Sequence, residues 1–154
     1  MITRLCIGLM QNEQLKARSH LQVETDLRAL EKVLQWFESF ALPFIPQQLG
    51  WEFQLALTEG FTNAVRHGHQ GLPSTTPIEL EVKVFRDYLE MRVWDRGEIF
   101  DWEATLQSTD HEDYDPLDKP GGRGLMLIKQ ITDEFDFTFQ PNQGKCLIMR
   151  KRIT

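Results

Sequence analysis

Residues Ile78–Trp94 alternate apolar and polar side chains almost without a break: IELEVKVF, then Arg86–Asp87, then YLEMRVW. A period of two belongs to strands with one buried face. Two residues between the runs leave room only for a tight hairpin. The chain is therefore committed to an antiparallel pair whose apolar face another layer must cover.

The remaining segments supply that layer. Lys16–Val23 predicts a further strand, and residues 1–14 an edge strand or an ordered tail. Thr25 reads as an N-cap with Asp26 in the first turn. Leu27, Leu30, Val33, Leu34, Phe37 and Phe40 then follow at helical spacing over about 26–40. Two prolines bracket a turn at Ala41–Pro46. A second helix is predicted from about 47 to 69, with Leu49, Phe53, Leu57, Phe61 and Ala64 on its apolar side and Glu52, Gln54 and Arg66 outward. Gly68 and Gly71 can end it in left-handed backbone. His67 and His69 lie near its C-terminus, and a capping or structural role, not a catalytic one, is the expectation for His67. A loop follows Asp95, then a short helix near 102–107 and a polar, acidic loop over 107–120. A helix is expected over Leu125–Asp133, and a closing hairpin of Phe135–Phe139 and Cys146–Lys151. Strands come in pairs and do not alternate with helices. The expected class is α+β: a two-layer sandwich, its mixed, mostly antiparallel sheet covered on one face by helices. We expect one domain over 1–154, with its core at about 16–152.

Composition narrows the function. The chain has 154 residues and a net charge of −6, with no basic run. That argues against nucleic-acid binding, which rests on clustered Lys and Arg. Cys6 and Cys146 show no metal-site spacing and read as free thiols of a reducing compartment. The N-terminus lacks the features of a signal peptide, and no apolar stretch is long enough to span a membrane. A cytoplasmic location is expected.

Three segments carry chemistry. In LTEGFTNAVRHGHQG (Leu57–Gly71), Glu59 and Asn63 stand four residues apart and leave the same helix face. They are either a solvated pair or a general base beside a magnesium ligand at a nucleotide's terminal phosphate. Magnesium takes oxygen ligands and few of them from protein, so one carboxamide oxygen suffices. Asp95 ends a strand, and Gly97 lets the backbone approach a ligand. An acceptor-only carboxylate there suits adenine's exocyclic amine, although an Asp-Arg-Gly turn would look the same. Gly121–Gly124, GGRG, opens a helix and exposes bare backbone N–H groups. That makes a phosphate cradle or simply a helix start. It lacks the Lys-Ser/Thr ending of a P-loop and the third glycine of a dinucleotide fingerprint.

Together, in this order, the three segments resemble the boxes of the GHKL ATPase superfamily, shared by gyrase, a heat-shock chaperone, histidine kinases and mismatch-repair proteins. The boxes are Glu59-Gly-Phe-Thr-Asn63, Asp95-Arg-Gly97-Glu-Ile-Phe100-Asp101 and Gly121-Gly122-Arg-Gly124-Leu125. Within it the chain resembles the small bacterial anti-sigma-factor serine/threonine kinases. The resemblance implies the Bergerat ATP-binding fold, ATP and Mg2+. It also implies phosphorylation of a serine on an anti-anti-sigma partner of the STAS fold, regulation of a sigma factor, and room for a homodimer. Carried over, Glu59 is the general base, Asn63 the magnesium ligand, Asp95 the adenine reader and Gly97 part of the adenine pocket. Gly121, Gly122, Arg123, Gly124 and Leu125 hold phosphates, and residues 107–120 form the ATP lid. One departure stands out. Family members usually carry threonine after the glycine of the last hairpin, whereas this chain reads Gly144-Lys145-Cys146. The change bears on a water-bridged adenine contact and not on the phosphate chemistry.

Two other functions fit the same boxes. A non-catalytic nucleotide-binding regulatory module would bind ATP without needing Glu59. A sensor histidine kinase or gyrase-type ATPase would need a dimerisation hairpin or a transducer domain. The 25–45 residues before the second helix are too few for either.

Overall fold

The computed structural model describes residues 14–109 and 122–154. Five strands form a single sheet in the order β1-β2-β3-β5-β4. They are β1 (Leu15–Glu24), β2 (Pro77–Phe85), β3 (Tyr88–Asp95), β4 (Glu134–Gln140) and β5 (Gly144–Arg152). Among the described residues every neighbouring pair is antiparallel, as the expected mostly antiparallel sheet requires. The hairpin read from the alternation is β2–β3, with Val84 opposite Leu89 and Glu79 opposite Trp94.

The helices are α1 (Leu30–Ala41), α2 (Gly50–Asn63), α3 (Trp102–Thr109) and α4 (Gly122–Ile131). Their apolar sides meet one face of the sheet. Val33 and Phe37 of α1, and Phe53, Leu57 and Phe61 of α2, share a buried cluster with Leu80, Val82, Met91, Val93, Leu147 and Met149. Burying large side chains such as these contributes about 1.5–3 kcal/mol each before the loss of chain entropy. Gly60 packs α2 directly onto β5 side chains. A Cβ there would lie 3.1 Å from Leu147 Cδ2 and 3.2 Å from Met149 Cε. This contact sets the Glu59/Asn63 turn over the ends of β3 and β5.

The opposite face is closed by charge. Arg150 Nη2 pairs with Glu90 at 2.6 Å, Arg92 Nε with Glu90 at 2.7 Å, and Arg150 Nη1 with Glu134 at 3.3 Å. Burial alone would raise the Glu90 carboxyl, but hydrogen bonds from Arg92 and Arg150 hold it below its ordinary value.

Local expectations differ from the structure at identifiable points. Asp26, not Thr25, caps the turn before α1: its side chain accepts from the Arg28 N–H, and a 3-10 turn (Leu27–Ala29) precedes the helix proper. Thr25 is engaged elsewhere, as described below. The second helix starts with a 3-10 turn at Gln47–Leu49, and its last turn, Ala64–Gly68, is a π-turn. Only Gly71 of the two expected stop glycines has positive φ, at +83°. The third-box helix begins at Gly122 and not at Leu125, so the glycine turn is itself the first helical turn. Gly121, residues 110–120 of the expected lid, and Cys6 lie outside the described residues. Cys146 is a buried free thiol, which burial pushes up to about 12. Among the described residues no helix is long and apolar enough to cross a membrane.

Candidate functional site

A cavity of about 530 Å³ opens between the end of α2 and the adjoining ends of β3 and β5. That is the size of small-molecule sites in general. Asn63, His67, Gly68, Asp95, Gly97 and Lys145 are among its lining residues.

One end is built by the sheet. Asp95 is the last residue of β3, and its cross-strand partner is Lys145, near the start of β5. The Asp95 carboxylate accepts a hydrogen bond from the Gly97 N–H at 2.7 Å, which folds the DRG turn back over it. The π-turn brings Gly68 against the same carboxylate, where a Cβ would lie 2.7 Å from Oδ2. Asp95 is thus walled by backbone on two sides, with little room for any side chain there.

The other end is built by helices. Glu59 and Asn63 are both half-buried on the same side of α2, as their spacing requires. The first turn of α4 packs onto them: a Cβ on Gly124 would lie 2.9 Å from Glu59 Oε2 and 3.2 Å from Asn63 Oδ1. The first four N–H groups of α4, those of Gly122 to Leu125, have no partner within the helix and carry its positive dipole end. Leu125 is fully buried, main chain included, and its side chain joins the core. Arg123 is exposed. Burial raises the Glu59 carboxyl, opposed by the charges of Arg123 and Arg66.

The fold therefore brings the three sequence segments to one place. Asn63, Asp95 and Gly97 line the cavity, while Glu59 and Gly124 meet at its rim next to Asn63. Among the described residues no group of three or more His, Cys, Asp or Glu side chains could hold a metal by itself. A single carboxamide oxygen next to bare helix N–H groups suits a hard cation that arrives on phosphate oxygens and keeps its waters. Asn63 meets that requirement.

His69 is the residue whose part the sequence did not reveal. It is 2% exposed. Its Nε2 accepts the Arg96 N–H at 2.7 Å, which places the ring proton on Nδ1. That proton is donated to Thr25 Oγ1 at 2.6 Å, and Thr25 donates in turn to the Thr76 carbonyl at 2.6 Å. The ring thus ties the end of α2 to the DRG turn, to the end of β1 and to the loop before β2. His67, expected in a capping or structural role, stands in the last turn of that helix and also lines the cavity.

Burial lowers the pKa of His69; Asp95 opposes the shift, while Lys145 and Arg96 reinforce it. Protonation would also abolish the acceptor for the Arg96 N–H. Because the folded pKa lies below the unfolded one, no penalty exists above pH about 6.5. Below that value the unfolded chain takes up the proton first, and stability falls until the folded pKa is passed. Thermal melts should therefore show a loss of stability as pH drops below about 6.5, and the loss should shrink in His69→Gln. An unchanged pH slope in that variant would contradict the role.

The profile of the histidine kinase-like ATPase domain matches residues 23–151. The chain is 36% identical over 104 residues to the serine-protein kinase RsbW of Staphylococcus epidermidis, covering 65% of this chain and 64% of that protein. It is 32% identical over 105 residues to RsbW of Oceanobacillus iheyensis and 30% over 105 residues to RsbW of Listeria monocytogenes, covering 66% of this chain and 65% of the relative in both cases. The alignments thus span just under two thirds of these relatives. The matched region runs from the last two residues of β1 into β5, so it takes in β2, β3, β4 and nearly all of β5, with each described wall of the cavity. By fold and by sequence, this chain belongs to the family of histidine kinase-like ATPase domains.

Proposed function

We propose that the chain is an ATP- and Mg2+-dependent protein serine kinase of the anti-sigma-factor type, working in the cytoplasm as one nucleotide-binding domain. Its substrate would be a serine on a STAS-domain anti-anti-sigma protein, and its regulatory target a sigma factor. The observation that carries this reading is the packing of Gly124 against both Glu59 and Asn63. It sets a carboxylate, a carboxamide oxygen and a helix N-terminus around one point at the cavity's rim. The kinase relatives support the choice of reaction.

In the proposed reaction Asp95 accepts from the exocyclic amine of adenine, and the Gly97 turn holds the carboxylate in place. The main-chain N–H groups of Gly122 to Gly124, with Gly121 before them and Arg123 at the rim, receive the phosphates. Asn63 would hold the magnesium ion, which supplies charge neutralisation on the phosphate oxygens when bound. Glu59 takes the proton of the attacking serine hydroxyl. The serine oxygen forms its bond to the γ-phosphorus as the bond to the bridging oxygen breaks, and ADP leaves. Burial favours proton uptake by Glu59, which suits a base.

Incubation with magnesium, γ-labelled ATP and a STAS-domain partner tests the reading: label is expected on a partner serine. Partner binding that depends on ATP, with no transfer, would instead make the chain a non-catalytic regulatory module.

A further inference from the structure

Lys145 puts a buried cation at the Asp95 end of the cavity. Its side chain and that of Asp95 are each 7% exposed, and Nζ lies 3.6 Å from Asp95 Oδ2. The ammonium also sits 4.9 Å from the ring centroid of Phe100 and 5.7 Å from that of Phe137. Carboxylate and ring faces together hold the charge in one place. The carboxylate is fixed too, by the Gly97 N–H on Oδ1 at 2.7 Å. An ammonium carries three N–H donors, yet among the described residues Nζ makes no direct hydrogen bond. Asp95, Lys145, Phe100 and Phe137 all line the cavity.

We propose that Lys145 donates to N1 of adenine while Asp95 takes the N6 amine, so that the pair selects 6-aminopurine nucleotides and rejects 6-oxopurines. This rests on the nucleotide reading given above, which sets N6 at Asp95, and adds the second contact that decides the choice of base. A fixed acceptor beside a fixed donor recognises one order of groups. Adenine carries a donor at C6 and an acceptor at N1, and meets the pair group for group. Guanine and hypoxanthine carry an acceptor at C6 and a donor at N1. In the same seat their O6 faces the carboxylate and their N1–H faces the ammonium, so both contacts fail. Reversing the order means turning the base over, which carries ribose and phosphates away from the side where Asn63 and α4 stand. A carboxylate alone senses only the group at C6. Lys145 makes N1 count as well, because a buried donor left unmatched carries a penalty.

Calorimetric titration of the full chain with ATP, 1-deaza-ATP and ITP, each with magnesium, tests this. 1-Deaza-ATP keeps the amine and the ring outline but has C–H in place of N1. Wild type should bind it at least about tenfold more weakly than ATP, and ITP about 100-fold or more weakly. Lys145→Met, similar in length but without a donor, should bind ATP about tenfold more weakly than wild type does. In that variant ATP and 1-deaza-ATP should agree within about twofold, because the group that reads N1 is gone. Wild-type binding of 1-deaza-ATP or of ITP as tight as that of ATP would overturn the proposal while leaving the ATP site standing. A penalty on 1-deaza-ATP that persists in full in Lys145→Met would do the same, since another group would then read N1. Failure of ATP itself to bind the wild type would defeat the underlying nucleotide reading. Should Lys145→Met fail to fold, the wild-type ratios decide: a penalty on both analogues supports the pair, and its absence on either overturns it.

Discussion

Glu59→Gln should lower phosphoryl transfer by about 100-fold to 10,000-fold, yet leave ATP affinity within about twofold. The substitution keeps the shape and hydrogen-bonding reach of the side chain and removes its charge and its capacity to take a proton. Glu59 lies beside the cavity, against Gly124, and is not among the residues that line it. In the proposed reaction it meets the attacking hydroxyl and not the nucleotide, so binding and transfer should separate. Single-turnover transfer and calorimetric ATP binding, measured side by side, check this. Transfer by the wild type should also rise with pH through a carboxyl pKa above the ordinary glutamate value, because burial raises that of Glu59 and only the carboxylate accepts the proton. A Glu59→Gln enzyme with wild-type transfer would remove Glu59 from the chemistry.

Gly97→Ala should cost ATP affinity about 100-fold, or about 3 kcal/mol, the upper end of what overpacking a fixed site costs. A Cβ on Gly97 would lie 2.6 Å from the Gly68 carbonyl oxygen, 2.8 Å from Gly68 Cα and 2.9 Å from Asp95 Oδ1. Two of those three atoms are backbone and cannot rotate away. Relief requires the DRG turn to lift off the π-turn of α2. That movement breaks the Gly97 N–H bond to Asp95 and pulls on the Arg96 N–H bond to His69. The carboxylate proposed to read the base then loses its fixed position. Folding should survive, since the turn lies at the rim of the core and all five strands remain paired. A melting temperature near that of wild type with strongly weakened ATP binding is the expected pattern; unchanged ATP affinity would contradict it.

What was legible in the sequence follows a physical division. The β2–β3 hairpin was legible because its alternation is local and its turn too short for any other connection. The helix over 47–69 was legible from its apolar stripe, and the three boxes from side chains whose chemistry is distinctive at fixed spacing. Contacts between distant segments were not legible. Thr25 has the composition of an N-cap, but its hydroxyl bonds His69 and the Thr76 carbonyl, and Asp26 caps the turn. His69 looked like the end of a helix because nothing local signals that Arg96 is 2.7 Å away. Gly68 looked like a stop residue, whereas its lack of a side chain makes room for Asp95. Lys145 was visible only as a departure from a resembling family. The register of β3 against β5 turns it into a partner of Asp95, and a close count of the closing hairpin could have suggested as much.

In the proposed function one cavity holds a magnesium nucleotide between Asp95 and Asn63. Calorimetric titration of ATP with and without magnesium, on wild type and on Asn63→Ala, tests it most directly. Wild-type affinity should fall about tenfold or more when magnesium is removed, and Asn63→Ala should bind ATP weakly whether or not magnesium is present. A magnesium dependence that survives intact in Asn63→Ala, or a wild-type chain that binds no ATP, would contradict it.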